Sequence, residues 1–270
     1  MAHVQVQNVI KDFSLTVGGK ASVSRALNNV SFEIGKGEIV ALAGPSGCGK
    51  TTALRIIMGL EAATSGAVIA GGKVVSGCGH DRGMVFQHAE LLPWKTVVEN
   101  ISFGLEMKGV PKADRERIAS HYVDLVGLSH ARERRPHQLS GGMKQRAGIA
   151  RALAIDPDVL LMDEPFGALD SQTREALQME LLAIHERTGK TIIFVTHDLD
   201  EAVLLADRVV VLSGGSVRDI IPIALARPRR DMRAIRADPE FSLKRTMIWE
   251  TLHTAAVPAH AAAPSQRRSA

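Results

Sequence analysis

The chain has 270 residues, a formal net charge of +4, 4% aromatic residues and 24 glycines. Its length suffices for one large or two small domains, and few aromatics with many glycines favour an α/β protein rich in tight turns. The longest apolar run, around residues 209–212, is too short to cross a bilayer, and we expect no secretory signal at the N-terminus. Two cysteines, Cys48 and Cys78, cannot form a disulfide framework and favour reduced thiols.

Alternating polar and apolar residues at 3–9 predict a half-exposed strand, with residues 30–34 as its partner. Short apolar runs separated by helical stretches follow at residues 38–43, 159–162, 192–196 and 208–212. That alternation is typical of a parallel sheet buried on both faces. The predicted fold class is therefore α/β, with a parallel sheet and an N-terminal antiparallel β subdomain.

Helical periodicity replaces the strand pattern between about residues 87 and 156. Ile118, Tyr122, Leu125 and Val126 predict one apolar helix face that stops at Gly127. A later helix carries apolar residues and ends at a glycine, with the spacing of Leu177, Leu181, Ile184 and Gly189. We interpret residues 88–156 as a helical subdomain inserted into an α/β domain that spans residues 1–226.

A basic C-terminal extension follows at residues 227–270. Residues 227–245 contain seven Lys or Arg and three Asp or Glu, so the rest of the chain has no basic excess, which argues against nucleic-acid binding. The extension is either simply solvated or lies near an anionic membrane surface. Residues 255–270, mostly Ala, Pro, Ser and Arg, are expected to be disordered.

A glycine-rich loop follows the first apolar run and precedes a helical stretch that starts at Thr52. Its residues, all predicted to bind nucleotide together with Thr52, are Gly44, Pro45, Ser46, Gly47, Cys48, Gly49, Lys50 and Thr51. Such a phosphate loop directs backbone N–H groups and a helix N-terminus at phosphate oxygens. The lysine is expected on the β- and γ-phosphates and the Thr51 hydroxyl on Mg²⁺. The helix N-terminus also predicts a reactive thiol at Cys48.

Two carboxylates, Asp163 and Glu164, end the apolar strand 159–162. The carboxyl edge of a parallel sheet would place both beside the phosphate loop. We expect Asp163 to hold Mg²⁺ and Glu164 to act as the general base on the attacking water. Adjacent strand residues point to opposite faces, so the two carboxylates should not share a role.

A second glycine-rich patch opens the helix that runs to Ala154. Its N–H groups at Gly141 and Gly142 form a second anion-binding nest, and Ser140 either caps the helix or donates to a phosphate. One nucleotide needs one phosphate loop. A second nest therefore suggests a site shared in a dimer, with each chain covering the nucleotide of the other.

In this order the motifs resemble those of ATP-binding-cassette (ABC) transporter ATPase subunits, over roughly residues 3–220. Residues 139–143 resemble the family signature, with Met143 in the last place. The resemblance implies that Gln87 is the loop glutamine that senses Mg²⁺ and that Asp170, in the segment 168–170, crosses the dimer interface. It also implies that His197 contacts the γ-phosphate. Phe13 stands where an adenine-stacking aromatic is expected, although packing in the core is an alternative.

The resemblance further implies ATP and Mg²⁺, a homodimer of ATPase subunits and integral-membrane permease partners at the cytoplasmic face of the inner membrane. A periplasmic or lipid-anchored solute-binding protein would be an indirect partner, and no nucleic acid is expected. Residues 86–94 and 97–101 resemble the nitrate, sulfonate and taurine importer group. Leu91, Leu92 and Trp94 are then either permease-groove residues or subdomain core. A non-transport ABC ATPase of repair or translation type is the alternative function, and a metabolic phosphate-loop kinase is more distant.

Overall fold

The computed structural model describes residues 2–17, 20–167 and 169–254. Ala168 and the expected disordered end at 255–270 lie outside the described residues. The strands are β1 (Ala2–Val17), β2 (Lys20–Gly35), β3 (Ile39–Ala43), β4 (Ser65–Ala70), β5 (Lys73–Val74), β6 (Arg82–Val85), β7 (Val159–Asp163), β8 (Thr191–Thr196), β9 (Arg208–Ser213) and β10 (Ser216–Pro222). The helices are α1 (Lys50–Met58), α2 (Val97–Met107), α3 (Lys112–Leu125), α4 (Gly141–Ala154), α5 (Ser171–Thr188), α6 (Leu199–Leu205), α7 (Met232–Ala237) and α8 (Pro239–Thr254).

The strands form two sheets. The antiparallel sheet has the order β2-β1-β4-β5, and the larger sheet has the order β10-β9-β3-β8-β7-β6. In the larger sheet β9, β3, β8, β7 and β6 are parallel, and β10 pairs antiparallel with β9. Pairing of Val4 with Ile34 and of Val9 with Val30 confirms the predicted N-terminal strand pair. The predicted α/β class, with its parallel sheet and antiparallel subdomain, is confirmed.

The larger sheet is buried on both faces, and this explains the apolar runs of its central strands. Ile39, Ala41 and Ala43 of β3 belong to a hydrophobic cluster that also includes buried residues of the helical subdomain and of α8. Val40 and Leu42, which point the other way, belong to a second cluster that includes buried residues of α1 and the antiparallel sheet. Strands β4, β5, β6 and β10 were not predicted from the sequence. Strand β6, for example, has only four residues and includes a charged residue and a glycine, Arg82 and Gly83.

The helical subdomain lies between β6 and β7. Helix α2 begins at a capping box, in which Thr96 and Glu99 exchange hydrogen bonds with each other's backbone N–H. Helix α3 carries the predicted apolar face and ends before Gly127, whose φ of 67° is left-handed. Helix α4 begins directly after Ser140 and is largely buried along its length.

The segment after residue 226 contains two helices that the sequence pattern did not predict. Phe241 and Ile248, seven residues apart on α8, are buried against the core. The Arg229 side chain is fully buried, and its guanidinium donates to the carbonyl oxygens of Leu204, Ala206 and Leu225. Its burial lowers its pKa to about 10.

Basic residues of this segment contact acidic residues of the preceding domain. The ion pairs are Arg227–Asp207 at 2.8 Å, Arg230–Glu186 at 3.2 Å, Arg236–Glu175 at 2.8 Å and Arg245–Asp200 at 2.6 Å. The described part of the extension is therefore packed on the preceding domain and is not a freely solvated tail, whereas its position near an anionic membrane surface stays a prediction. None of the helices in the described residues is long and apolar enough to span a membrane.

Candidate nucleotide-binding and hydrolysis site

The phosphate loop connects the fully buried strand β3 to α1. Pro45, Ser46 and Gly47 form its exposed tip. A Cβ at Gly44 would overlap the carbonyl oxygen of Leu212, and one at Gly49, whose φ is 101°, would lie 2.6 Å from the carbonyl oxygen of Ala26. Glycine is therefore required at both positions, where neighbouring backbone approaches the loop closely.

Lys50 is buried and its amino group lies against the loop itself. Nζ donates to the carbonyl oxygens of Gly44 at 2.7 Å and Pro45 at 2.9 Å. A positive charge is thus held within the loop where phosphate oxygens are expected. Cys48 lies beside it with 3% of its surface exposed, so the prediction of a readily reacting thiol is wrong for this conformation, because the thiol is inaccessible.

The first residues of α1 meet the end of β7. The Thr51 hydroxyl donates to Oδ1 of Asp163 at 3.0 Å, and Thr52 follows it, partly buried, on the same helix. Burial raises the pKa of Asp163, although the hydrogen bond from Thr51 and the charge of Arg55 oppose the shift. The structure therefore places Asp163 beside the phosphate loop, as the sequence predicts.

Glu164 follows Asp163 with a left-handed φ of 44°. Its Oε2 accepts a hydrogen bond from Nε2 of Gln87 at 3.2 Å and lies 3.4 Å from Nδ1 of His197. The loops after β6, β7 and β8 thus bring three predicted residues together around one carboxylate oxygen. Asp163 turns to Thr51 and Glu164 to the other two side chains, so the two carboxylates have different partners.

A buried polar cluster, which the sequence reasoning missed, supports the His197 loop. Glu201 accepts from Thr196 Oγ1 at 2.7 Å and from Gln178 Nε2 at 3.1 Å, and burial raises its pKa. Arg174 donates to the carbonyl oxygen of Leu169 at 3.1 Å and lies 3.9 Å from Glu201. The only signal in the sequence is a carboxylate four residues after His197, which is a common feature of exposed helices.

The second glycine-rich patch stands at the N-terminus of α4. Ser140 and Gly141 are exposed, and Ser140 Oγ accepts from the Met143 N–H at 3.3 Å, so within one chain it acts as the helix cap. Gly142 is buried, and a Cβ there would overlap the Thr173 side chain. Asp170 caps α5 by accepting from the Thr173 N–H at 3.0 Å, and this bond lowers its pKa.

Phe13 lies on β1 opposite Ser24, with 36% of its surface exposed. The Lys11 amino group lies 4.8 Å from the centre of its ring. This exposure disagrees with packing in the core, and the stacking of Phe13 on adenine stays a prediction. Leu91 is partly buried against the core, whereas Trp94 is 66% exposed.

Comparison with known proteins assigns the family. The family described as ABC transporter matches residues 27–167. The chain belongs to the ABC transporter family. It is an ATPase of the ATP-binding-cassette type, and ATP is its substrate.

Several relatives are similar over most of this ATPase. It is 51% identical over 228 residues to an uncharacterized ABC transporter ATP-binding protein, MJ0412, of Methanocaldococcus jannaschii, with 84% of each chain covered. It is 43% identical to the taurine import ATP-binding protein TauB of Roseobacter denitrificans, over 93% of this chain and 95% of TauB. It is 46% identical to the bicarbonate transport ATP-binding protein CmpC of Synechocystis sp., over 91% of this chain and 37% of CmpC.

A solved structure is also similar to this ATPase in sequence and fold. A dimeric post-hydrolysis state of the ATP-binding cassette MJ0796 bound to ADP and Pi superposes with a TM-score of 0.74 at 33% identity, over 83% of this ATPase and 100% of that chain.

Proposed function

We propose that this ATPase is the energy-supplying subunit of an importer for a small anionic solute of the nitrate, sulfonate or taurine class. The observation that carries the role in energy supply is the contact of Glu164 with both Gln87 and His197 beside the phosphate loop, which suits ATP hydrolysis. The similarity to TauB and CmpC, whose names state import of taurine and transport of bicarbonate, supports the solute class.

In this proposal the phosphate loop binds the triphosphate of ATP. Lys50 exchanges its two carbonyl partners for β- and γ-phosphate oxygens, and the N-terminus of α1 faces the same anion. Phe13 stacks on the adenine, which its exposure permits.

The oxygen atoms of Thr51 and Asp163, 3.0 Å apart, suit Mg²⁺, which is a hard cation that binds oxygen ligands. These two residues, with Gln87, would hold the ion, which when bound neutralises charge on the phosphate oxygens.

Glu164 would act as general base. Its carboxylate accepts the proton of the attacking water, and the amide of Gln87 and the ring of His197 orient the carboxylate because both lie on the same oxygen, Oε2. His197 is 63% exposed, so its other edge is available to a γ-phosphate. The Arg174–Glu201 cluster fixes the loop from which His197 projects.

A second copy of the chain would complete the site. Ser140 and Gly141 are exposed at the N-terminus of α4, where backbone N–H groups attract an anion. Two copies facing head to tail would place them on the other chain's γ-phosphate, with Asp170 at the interface. The dimeric arrangement of the similar MJ0796 cassette supports this arrangement.

The closing movement of the dimer would be transmitted to a permease in the inner membrane. This subunit would bind the permease at the cytoplasmic face, and a solute-binding protein would be an indirect partner. A groove of about 390 Å³ between the helical subdomain and the core supports the docking site. Gln87, Leu91, Lys144 and Pro165 are among its lining residues. Closure of the dimer would displace this groove, and ATP hydrolysis would reopen the dimer.

The test replaces Glu164 with Gln, which keeps the hydrogen-bonding shape and removes the base. We expect turnover to fall by about 10²- to 10⁴-fold with little change in ATP affinity. Glu133→Gln, on the exposed surface of the helical subdomain, is the control and should keep the parental rate. A Glu164→Gln variant with ordinary turnover would contradict the assignment of the base. Stimulation by a permease in liposomes separates a transport subunit from a repair or translation ATPase.

A further inference from the structure

The loop that carries Gln87 is bound to helix α4 by side chains that no motif includes. We name residues 86–94 the glutamine loop. Three of its carbonyl oxygens accept hydrogen bonds from α4: Phe86 from Gln145 Nε2 at 3.3 Å, Ala89 from Arg151 Nη2 at 2.8 Å and Glu90 from Arg151 Nη1 at 2.7 Å. The fork of one guanidinium thus holds two successive carbonyls, a geometry that a lysine cannot reproduce.

The packing around these bonds is equally close. Ala89 is buried, and a Cβ on Gly148 of α4 would lie 3.3 Å from the Ala89 Cβ. Glu90 has a left-handed φ of 44°, which turns its carbonyl oxygen and that of Ala89 towards the same guanidinium. The middle of the glutamine loop therefore has little freedom to move independently of α4.

The two ends of the glutamine loop contact different parts of the molecule. At one end Gln87 donates to Glu164. At the other end Leu92 exchanges hydrogen bonds with Asn100 of α2, at 2.7 Å to its N–H and 3.2 Å to its carbonyl oxygen. Helix α4 itself begins directly after Ser140. A continuous series of contacts thus connects the exposed helix N-terminus, the glutamine at the hydrolysis site and the segment that ends at the exposed Trp94.

We propose that Arg151, assisted by Gln145, is a positioning residue that makes the glutamine loop move together with helix α4. A displacement of the α4 N-terminus by a nucleotide would then shift Gln87 and the permease-facing segment 88–94 in the same step. The inference rests on the proposed function, in which Ser140 and Gln87 both meet nucleotide. It assigns to Arg151 the transmission of the movement and no contact with ATP.

The chain contains its own reporter of this movement. It has two tryptophans, Trp94 at the end of the glutamine loop and Trp249 on α8, which are 66% and 50% exposed. In a Trp249→Phe background, emission and acrylamide quenching report on Trp94 alone. We expect Mg-ATP to change both signals when the chain carries no other substitution.

Arg151→Met in that background should lose most of the ATP-dependent change in Trp94, while ATP binding stays within about threefold of the parent. Its kcat should fall by about 10- to 100-fold with little change in KM, because the displaced loop misplaces Gln87 at the hydrolysis site. Arg151→Lys, which can reach one carbonyl at a time, should recover part of the response. Arg115→Met, which removes a surface ion pair with Glu106 in the same subdomain, should match the parent.

The outcomes are decisive in both directions. A full Trp94 response in Arg151→Met, or no response in the parent, overturns the inference. If Arg151→Met does not fold, the partial response of Arg151→Lys decides, and a parental response there also overturns it. The proposed function fails separately, through ordinary turnover in Glu164→Gln, so the two results are distinguishable.

Discussion

Ser140 caps α4 in its own chain, and in the proposed dimer it would also meet the nucleotide bound by the second chain. Its two roles can be separated by comparing Ser140→Ala with Ser140→Arg. Both variants lose the hydrogen bond to the Met143 N–H, which is 3.3 Å long and exposed, so the cost falls at the lower end of the range for caps. We expect about 0.5–1 kcal/mol for either variant. For a domain of this size that lowers Tm by about 1–4 °C.

The variants should differ in closure. Ser140 is exposed, so an arginine there fits the isolated chain, and ATP binding by the monomer should be unchanged. In the closed dimer both variants lose the hydroxyl donor from the second chain, and in Ser140→Arg the added bulk would also occupy the space of the nucleotide and prevent closure. We expect hydrolysis in Ser140→Ala to fall by up to about 100-fold, the scale on which removal of one preorganised donor acts, and hydrolysis in Ser140→Arg to fall further.

Hydrolysis is measured by phosphate release, and ATP binding by a fluorescent ATP analogue. Dimer closure is measured by light scattering in a Glu164→Gln background. Ser129→Arg, another exposed serine of the helical subdomain, is the matched control and should keep all three at parental values. Parental hydrolysis in Ser140→Arg would refute the shared site. A Tm loss much larger in Ser140→Arg than in Ser140→Ala would show that the arginine disturbs the monomer, which contradicts the reasoning from exposure.

Two further predictions concern buried groups. Burial raises the pKa of Glu201 above its ordinary 4.5, so the folded state holds the proton more tightly. The free energy of unfolding of the parent, relative to that of Glu201→Gln, should therefore be greatest at acid pH. It should fall as the pH rises from about 4.5 to the pKa of the folded state, and it should be constant at higher pH. The total fall is about 1.4 kcal/mol for every tenfold difference in proton affinity between the folded and unfolded carboxyl. Urea titrations at pH 5 and pH 8 measure this, and a pH-independent difference would count against it. Cys48 is buried and Cys78 exposed, so maleimide should modify Cys78 in the native protein and Cys48 only after unfolding, as followed by mass spectrometry. Equal native rates would contradict the burial.

The sequence determined the features that depend on neighbouring residues. The glycine spacing of residues 44–51 fixed the phosphate loop, because a bent backbone at the start of a helix needs glycine at set positions. The buried strands β3, β7, β8 and β9 appear as apolar runs, since a parallel sheet covered on both faces has no polar side. The positions of Asp163, Glu164 and His197 followed, because the carboxyl ends of parallel strands lie along one edge.

The tertiary structure alone decided the contacts between distant residues. Arg151 reaches the Ala89 carbonyl across 62 residues, and Glu201 reaches Gln178 across 23, and no local pattern encodes either pair. Helix α8 buries Phe241 and Ile248 among mostly polar neighbours, so its packing left no strong periodicity. Cys48 was expected to be reactive from its place beside a helix N-terminus, but its burial depends on how the surrounding strands pack against it. Local propensity sets the elements of this ATPase, whereas long-range packing decides which side chains meet.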